Sequence, residues 1–132
     1  DPGTGLLNWS PWDNTEALNG GDNGMRHPLS LGLTEVTNDW PLIRYLMDDP
    51  VYYGMYVEEV EYTANFVFYP ERMRPIFRDA YDLIRPYVVG VQGEIPGHSL
   101  LSSPWAFSAS VDELIEHVED RYDAAEAFVS VH

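Results

Sequence analysis

The chain contains no cysteine and no lysine. The first absence excludes a disulfide scaffold and thiol chemistry, and says little about compartment. The second leaves arginine to carry all seven basic positions against 22 acidic residues, a formal net charge of −15. A surface this lopsided repels polyphosphate backbones, so nucleic acid is excluded as a partner. It suits cations, basic protein partners or a saline environment, and most simply it is a solvated acidic face. No apolar run approaches the ~18 residues of a membrane span, so no helical crossing is predicted. There is also no initiator methionine and no signal-like start. Asp1-Pro2-Gly3-Thr4-Gly5 reads as a turn, and the chain is expected to be cut from something longer, or processed.

What is present fits one domain. At 132 residues, with 45% apolar content, the chain is ordinary for a globular protein and can bury roughly 70% of its unfolded surface. The aromatic load is high, with nine Tyr, five Phe and four Trp. At helical spacing such residues read first as core, and second as a platform for carbohydrate or protein.

Residues Gly5 to Trp12 read as a strand, the second arm of a hairpin, with Gly3 and Gly5 supplying the turn and Pro11 at its end. Asp13 to Leu33 is loop-like, dense in glycine and asparagine around Asn19–Gly24. Four helical segments follow. Asn38 or Asp39 caps a short one carrying Trp40, Leu42, Ile43, Leu46 and Met47, with Pro41 in its first turn. Asp48-Asp49-Pro50 breaks and restarts it. The second runs to about Phe66, with Val51, Met55, Val60 and Ala64 on one side and Tyr52, Tyr53, Tyr56 and Tyr62 on a wide flank.

The third starts near Pro70 and carries Met73, Ile76, Phe77, Ala80, Leu83, Ile84 and Tyr87 at helical period. Pro75 and Pro86 within it predict a bend or an early end. Val88 to Trp105 reads as an irregular connection. Ser110-Val111-Asp112-Glu113 is a capping-box pattern. The helix it opens places Val111, Leu114, Ile115, Val118, Tyr122, Ala125 and Val129 on one face. The fold class is mainly α, with a β-hairpin remnant at the N-terminus.

Chemistry concentrates near the start. Trp9-Ser10-Pro11-Trp12-Asp13-Asn14-Thr15-Glu16-Ala17-Leu18 puts one carboxylate at the end of a short apolar run, directly before a polar, glycine-rich loop. That is a common way to hold a divalent cation against a phosphorylated ligand. Asp22-Asn23-Gly24 with Asp13, Asn14 and Glu16 also offers Ca²⁺ oxygens, although the spacing is not that of an EF-hand and an ordinary turn explains it. His27, His98, His117 and His132 show no metal-ligand spacing and read as surface or locally hydrogen-bonded residues. Ser99, Ser102 and Ser103 lack a Gly-x-Ser-x-Gly elbow, which argues against a serine hydrolase. Glu58, Glu59 and Glu61 with Asp48 and Asp49 read as solvated helix faces rather than as the lining of an acidic groove.

Pro11-Trp12-Asp13-Asn14, Glu16-Ala17-Leu18, Pro41-Leu42-Ile43-Arg44, Asp49-Pro50-Val51-Tyr52, Pro70-Glu71-Arg72 and Ala124-Ala125-Glu126-Ala127-Phe128 occur in that order. In order and spacing they resemble the CotH-type kinases, a family of secreted and spore-coat protein kinases, over nearly the whole chain. The resemblance implies the C-terminal helical lobe of a protein-kinase-like (α+β) fold that transfers phosphate from ATP to a partner protein. Residues 1–18 would be the strand and metal-site segment and 38–130 the helical part. It implies a metal site at Asp13, Asn14 and Glu16 for Mg²⁺ held with ATP, Asp13 taking the part of the metal-holding aspartate of ordinary kinases. Where many relatives carry a second acid, two residues on, this chain has Thr15, so Glu16 next door, or Asn14 with water, would complete the cation's ligands.

The nucleotide lobe, the phosphate-gripping basic residue and the catalytic-loop aspartate would all precede Asp1. The chain is therefore expected to be inactive alone, since phosphoryl transfer needs several groups at once. Its expected partners are the rest of the parent chain and a protein substrate, at an extracellular, cell-surface or spore-surface location. An open hairpin edge at Leu6, Leu7, Trp9 and Trp12 further predicts a homo-oligomer, or continued association with the preceding segment. The alternative is a non-catalytic extracellular or surface assembly module using its acidic, aromatic surface.

Overall fold

The computed structural model describes residues 3–5, 31–34, 36–89 and 103–132. Four α-helices make up its bulk: α1 (Pro41–Asp48), α2 (Pro50–Tyr62), α3 (Pro70–Val88) and α4 (Pro104–Val129). A π-helical turn, Thr63–Val67, extends α2. Among the described residues there is no strand. Gly5 has φ +70°, the left-handed backbone expected of a turn glycine. The predicted strand beyond it, its open edge and residues 90–102 of the predicted 88–105 connection lie outside the described residues, while Val88 ends α3 and Pro104 and Trp105 open α4.

All four helices start at a proline, which sets φ and lacks the N–H that a first turn leaves unsatisfied anyway. The residues ahead of them do different work. Asp49 accepts hydrogen bonds from the Val51 and Tyr52 amides at 2.9 and 3.2 Å, so the predicted break between α1 and α2 is a capped restart. The cap of α1 is Trp40, with no side-chain hydrogen bond, and not Asn38 or Asp39. The Asp39 amide donates to the Thr37 hydroxyl at 3.3 Å, and that hydroxyl donates to the Asp39 carboxylate at 3.2 Å. The pair closes a turn on itself one residue too early to serve the helix.

The start of α4 also differs from expectation. Ser103 is its N-cap, its hydroxyl accepting from the Ala106 amide at 3.1 Å. Ser110 lies inside the helix, where its hydroxyl donates to the Phe107 carbonyl at 2.7 Å. The Ser110–Glu113 pattern is thus a chance match within a helix that is already running. In α3, Pro75 and Pro86 are both absorbed without ending the helix before Val88.

The core is a seam along α4. Phe107, Val111, Ile115, Val118, Ala125 and Phe128 are buried, and Val118 is fully enclosed at 0% exposure. Their spacing of three, four and seven keeps them on one stripe. Four of the predicted face residues are among them, while Phe107 and Phe128 extend it at both ends. Helix α3 lies along this stripe, with Tyr81 stacked on Phe107 at 4.9 Å between centroids. Two ion pairs cross the same contact, Arg74–Glu119 and Arg78–Asp112 at 3.5 Å. On the other side α2 and the π turn reach α4 through Ala64 and through Tyr56, whose ring meets Phe128 edge-on at 6.0 Å.

The expected aromatic core is only partly built. Trp40, Tyr45, Tyr52, Tyr62, Phe66, Tyr87 and Trp105 are all exposed, as are Leu83 and Ile84 at the far end of α3. Apolar residues spread around the whole of α2 cannot all face one neighbour, and neither α1 nor α2 contains a buried residue.

Candidate functional site

A cleft of about 400 Å³ lies between α2 with its π turn and α4. Its floor is apolar, from Val60, Ala64, Phe68 and Ala125. Its rim carries Glu59, Thr63, His117, Arg121 and Tyr122. The π turn shapes the α2 wall. The Phe68 amide bonds back five residues to the Thr63 carbonyl at 2.8 Å, which inserts one residue into the helical register and widens the turn. Leu31 closes one end, held by the Tyr56 hydroxyl donating to its carbonyl at 2.7 Å.

Electrostatics on the α4 side follow from burial. His117 is half-buried against this cleft, and desolvation holds its pKa below the ordinary 6.5. Arg121, one turn on, pushes the same way, and Asp120 opposes both. His117 is accordingly neutral at neutral pH. The Tyr122 hydroxyl donates to Glu126 at 2.7 Å, and that hydrogen bond chiefly raises its pKa. The cleft can hold an apolar group beneath a rim of mixed charge. Among the described residues, no group of three or more His, Asp or Glu side chains is placed to hold a metal ion.

Asp13, Asn14 and Glu16 lie outside the described residues, as do Asp22, Asn23, Gly24, Ser99, Ser102, His27 and His98. By chemistry alone, two carboxylates and a carboxamide form a hard-oxygen donor set that fits Mg²⁺. His132 has its Nδ1 2.8 Å from the Phe128 carbonyl and its ring 4.4 Å from that of Phe128, a locally bonded histidine as expected. Ser103 is engaged as a helix cap. The Thr63–Val67 turn that forms the cleft wall carried no sequence signal. Its residues are ordinary helix continuations, and only the wider hydrogen bond distinguishes them.

The sequence landmarks gain a mechanical role here. Arg44 donates through Nη1 to the Leu33 and Val36 carbonyls at 3.1 and 3.3 Å, and through Nε to Asp48 at 2.9 Å. It thereby straps the segment before α1 onto that helix. Leu33 needs such support, since its φ of +49° is uncommon for a leucine. Pro50 and Pro70 open their helices, and Arg72 donates to the Phe66 carbonyl at 2.8 Å, closing the end of the π turn. In the Ala124–Phe128 landmark, Ala125 and Phe128 are the two buried residues.

A family model described as CotH kinase protein matches residues 1–125 of the chain. No curated protein and no solved structure matches it.

Proposed function

The chain belongs to the CotH kinase protein family, and on that premise we propose that it is the C-terminal helical part of an ATP-dependent protein kinase. One observation carries the reading: the family match runs through residues 1–125 and so takes in both the Asp13 segment and the helices behind it. In this reading the fold of the parent is kinase-like, residues 1–18 are a hairpin arm and metal-site segment, and residues 38–130 form the helical support. Asp13, with Asn14 and Glu16, would hold Mg²⁺ together with ATP. The cation would supply charge neutralisation on the phosphate oxygens.

What the chain's own residues contribute is position. The Asp13 carboxylate would orient the nucleotide-bound cation, and Asn14 and Glu16 would complete the oxygen set. The four-helix framework, tied internally by Arg44 and by the α3–α4 ion pairs, would be the helical support of this reading. In this reading transfer also uses the nucleotide lobe and catalytic-loop aspartate of a longer parent, and the chain by itself would be inactive. The partner accepting phosphate would be a protein, at the cell or spore surface.

Transfer of labelled phosphate from ATP by the full-length parent tests this beside an Asp13→Ala version. The expected loss is about a hundredfold or more, the scale for removing a group that stabilises transition-state charge. Equal activity in the two would remove Asp13 from the mechanism. A parent with no transfer at all, Asp13 intact, would favour the second reading, a non-catalytic assembly module. That reading is supported by the apolar surface that α1 and α2 leave exposed.

A further inference from the structure

A second concavity lies between α1 and α2 and shares Tyr56 and Glu59 with the α2–α4 cleft. It is a groove of about 310 Å³ lined by Ile43, Leu46 and Met47 of α1 and by Tyr52, Met55 and Tyr56 of α2, with Glu59 at its edge. We propose that this groove docks a basic amphipathic helix of a partner protein. The inference goes beyond the kinase reading and does not depend on it.

Three properties combine. The first is apolar surface left to solvent where a folded chain would normally hide it. Of the groove's own lining, Met55 is 57% and Tyr52 47% exposed, and Ile43 and Leu46 are exposed as well. Contiguous apolar area of this kind marks interaction sites. The second is shape and softness. Two helices joined at Asp49 form walls that an apolar helix face can enter, and Met47 and Met55 have unbranched, adaptable side chains that mould to what enters.

The third is sign of charge, and it decides the occupant. Among the described residues that line the groove, Glu59 is the one that carries charge, and α2 adds Glu58 and Glu61 beside it in sequence. The one cation of these two helices, Arg44, is already engaged with Asp48 and two loop carbonyls. The edge of the groove at Glu59 is therefore negative. A second copy of this chain would bring its own −15 charges to that edge, which disfavours it as the occupant. A helix with an apolar stripe bordered by Lys or Arg satisfies both the groove and its rim.

Fluorescence anisotropy on the full chain, without nucleotide, tests the proposal independently of phosphoryl transfer. The probe is a labelled Leu/Lys amphipathic peptide of about four helical turns. Its comparators are a Leu/Glu peptide of the same apolar pattern and a Ser/Lys peptide of the same charge. Saturable binding of the Leu/Lys peptide alone is expected. A Leu46→Ser, Met55→Ser double variant should bind at least about tenfold more weakly, as for loss of central anchors. Glu59→Gln, at an exposed position that leaves the fold intact, should weaken binding less and flatten its salt dependence.

Leu83→Ser, on the 72% exposed end of α3, should leave binding unchanged, and circular dichroism confirms that each variant keeps its helices. Equal binding of the Ser/Lys peptide overturns the proposal, as does binding that the groove variants leave intact or that Leu83→Ser weakens equally. A dimer in sedimentation that the double variant dissolves assigns the groove to a second copy instead. Binding to the 132-residue chain but not to its longer parent assigns it to the parent's own segment, and overturns the proposal too.

Discussion

Helices α3 and α4 close around a continuous apolar seam, whereas α1 and α2 touch each other and leave most of their apolar surface to solvent. Composition does not separate the two pairs, since both are rich in aromatic and aliphatic residues. Arrangement does. The buried residues of α4 recur on one stripe from Phe107 to Phe128, so α3 on one side and α2 with the π turn on the other cover them together. In α2 the apolar side chains surround the axis, and any neighbour covers only some of them. The α4 stripe is covered by its own chain, whereas α1 and α2, which hold no buried residue, present material for something else to finish.

Truncating one large side chain in each pair gives the strongest test of that contrast. Phe107→Ala removes a buried ring stacked on Tyr81 and should cost roughly 3 to 5 kcal/mol, enough to consume much of the stability of a small domain. Met55→Ala, at 57% exposure, should change stability by no more than about 0.5 kcal/mol. Urea denaturation followed by circular dichroism compares them. Similar midpoints for the two variants would mean that α1 and α2 are covered in solution and that the contrast is false.

The next effect in size concerns how α4 begins. Ser103→Ala should destabilise by about 1 kcal/mol, because the Ala106 amide loses its partner. Ser110→Ala should be neutral or slightly stabilising, since alanine is the better helix former inside a helix. The reverse order in thermal unfolding would restore Ser110 as the cap and shorten the seam by the turn that carries Phe107.

Those two serines also mark the limit of what the sequence made legible. The helices opening at Pro50 and Pro70 could be read because proline in a first turn follows a strong break, and in one case a capping aspartate. Ser103-Pro104 carries the same signature as Asp49-Pro50. It was obscured by glycines and prolines upstream, which drew the loop forward to Trp105, and by a second serine with a glutamate three residues on. The mainly helical class, the α4 stripe and the family landmarks were all legible. The π turn was not, because one extra residue in a helical turn alters no periodicity over five residues. The exposure of α1 and α2 was not legible either, since an apolar residue in a sequence does not say whether its neighbour is in the same chain. Of the candidate site, the α2–α4 cleft was invisible in sequence because its rim residues are scattered from Glu59 to Tyr122 and follow no motif.

A smaller effect distinguishes what ties the seam from what fills it. Arg74 donates to Glu119 through Nε at 3.1 Å and through Nη2, and the carboxylate chiefly raises its pKa. Both side chains are partly solvated, so the pair is screened by salt. Arg74→Met should lower the melting temperature slightly at low ionic strength, and the difference from the parent chain should vanish in molar salt. A loss that persists in high salt would make Arg74 a packing residue of the seam instead.

The smallest expected effect lies where the two halves meet, at His117 on the α4 side of the cleft. Burial and Arg121 hold its folded-state pKa below the ordinary 6.5, so the unfolded chain binds this proton more readily than the folded one. Stability should therefore be independent of His117 above pH 6.5 and should fall as pH drops below it, until the folded-state pKa is passed. His117→Gln should flatten that part of the profile and leave the rest unchanged. Titration of the imidazole by NMR gives the same information without unfolding. Arg121→Gln should move its pKa part of the way back up, since desolvation by burial, the larger cause, would remain. A wild-type pKa at the ordinary value would mean that solvent reaches His117 freely. In that case α2 does not stay against α4, and the weak half of the molecule is weaker than the contact between Tyr56 and Phe128 implies.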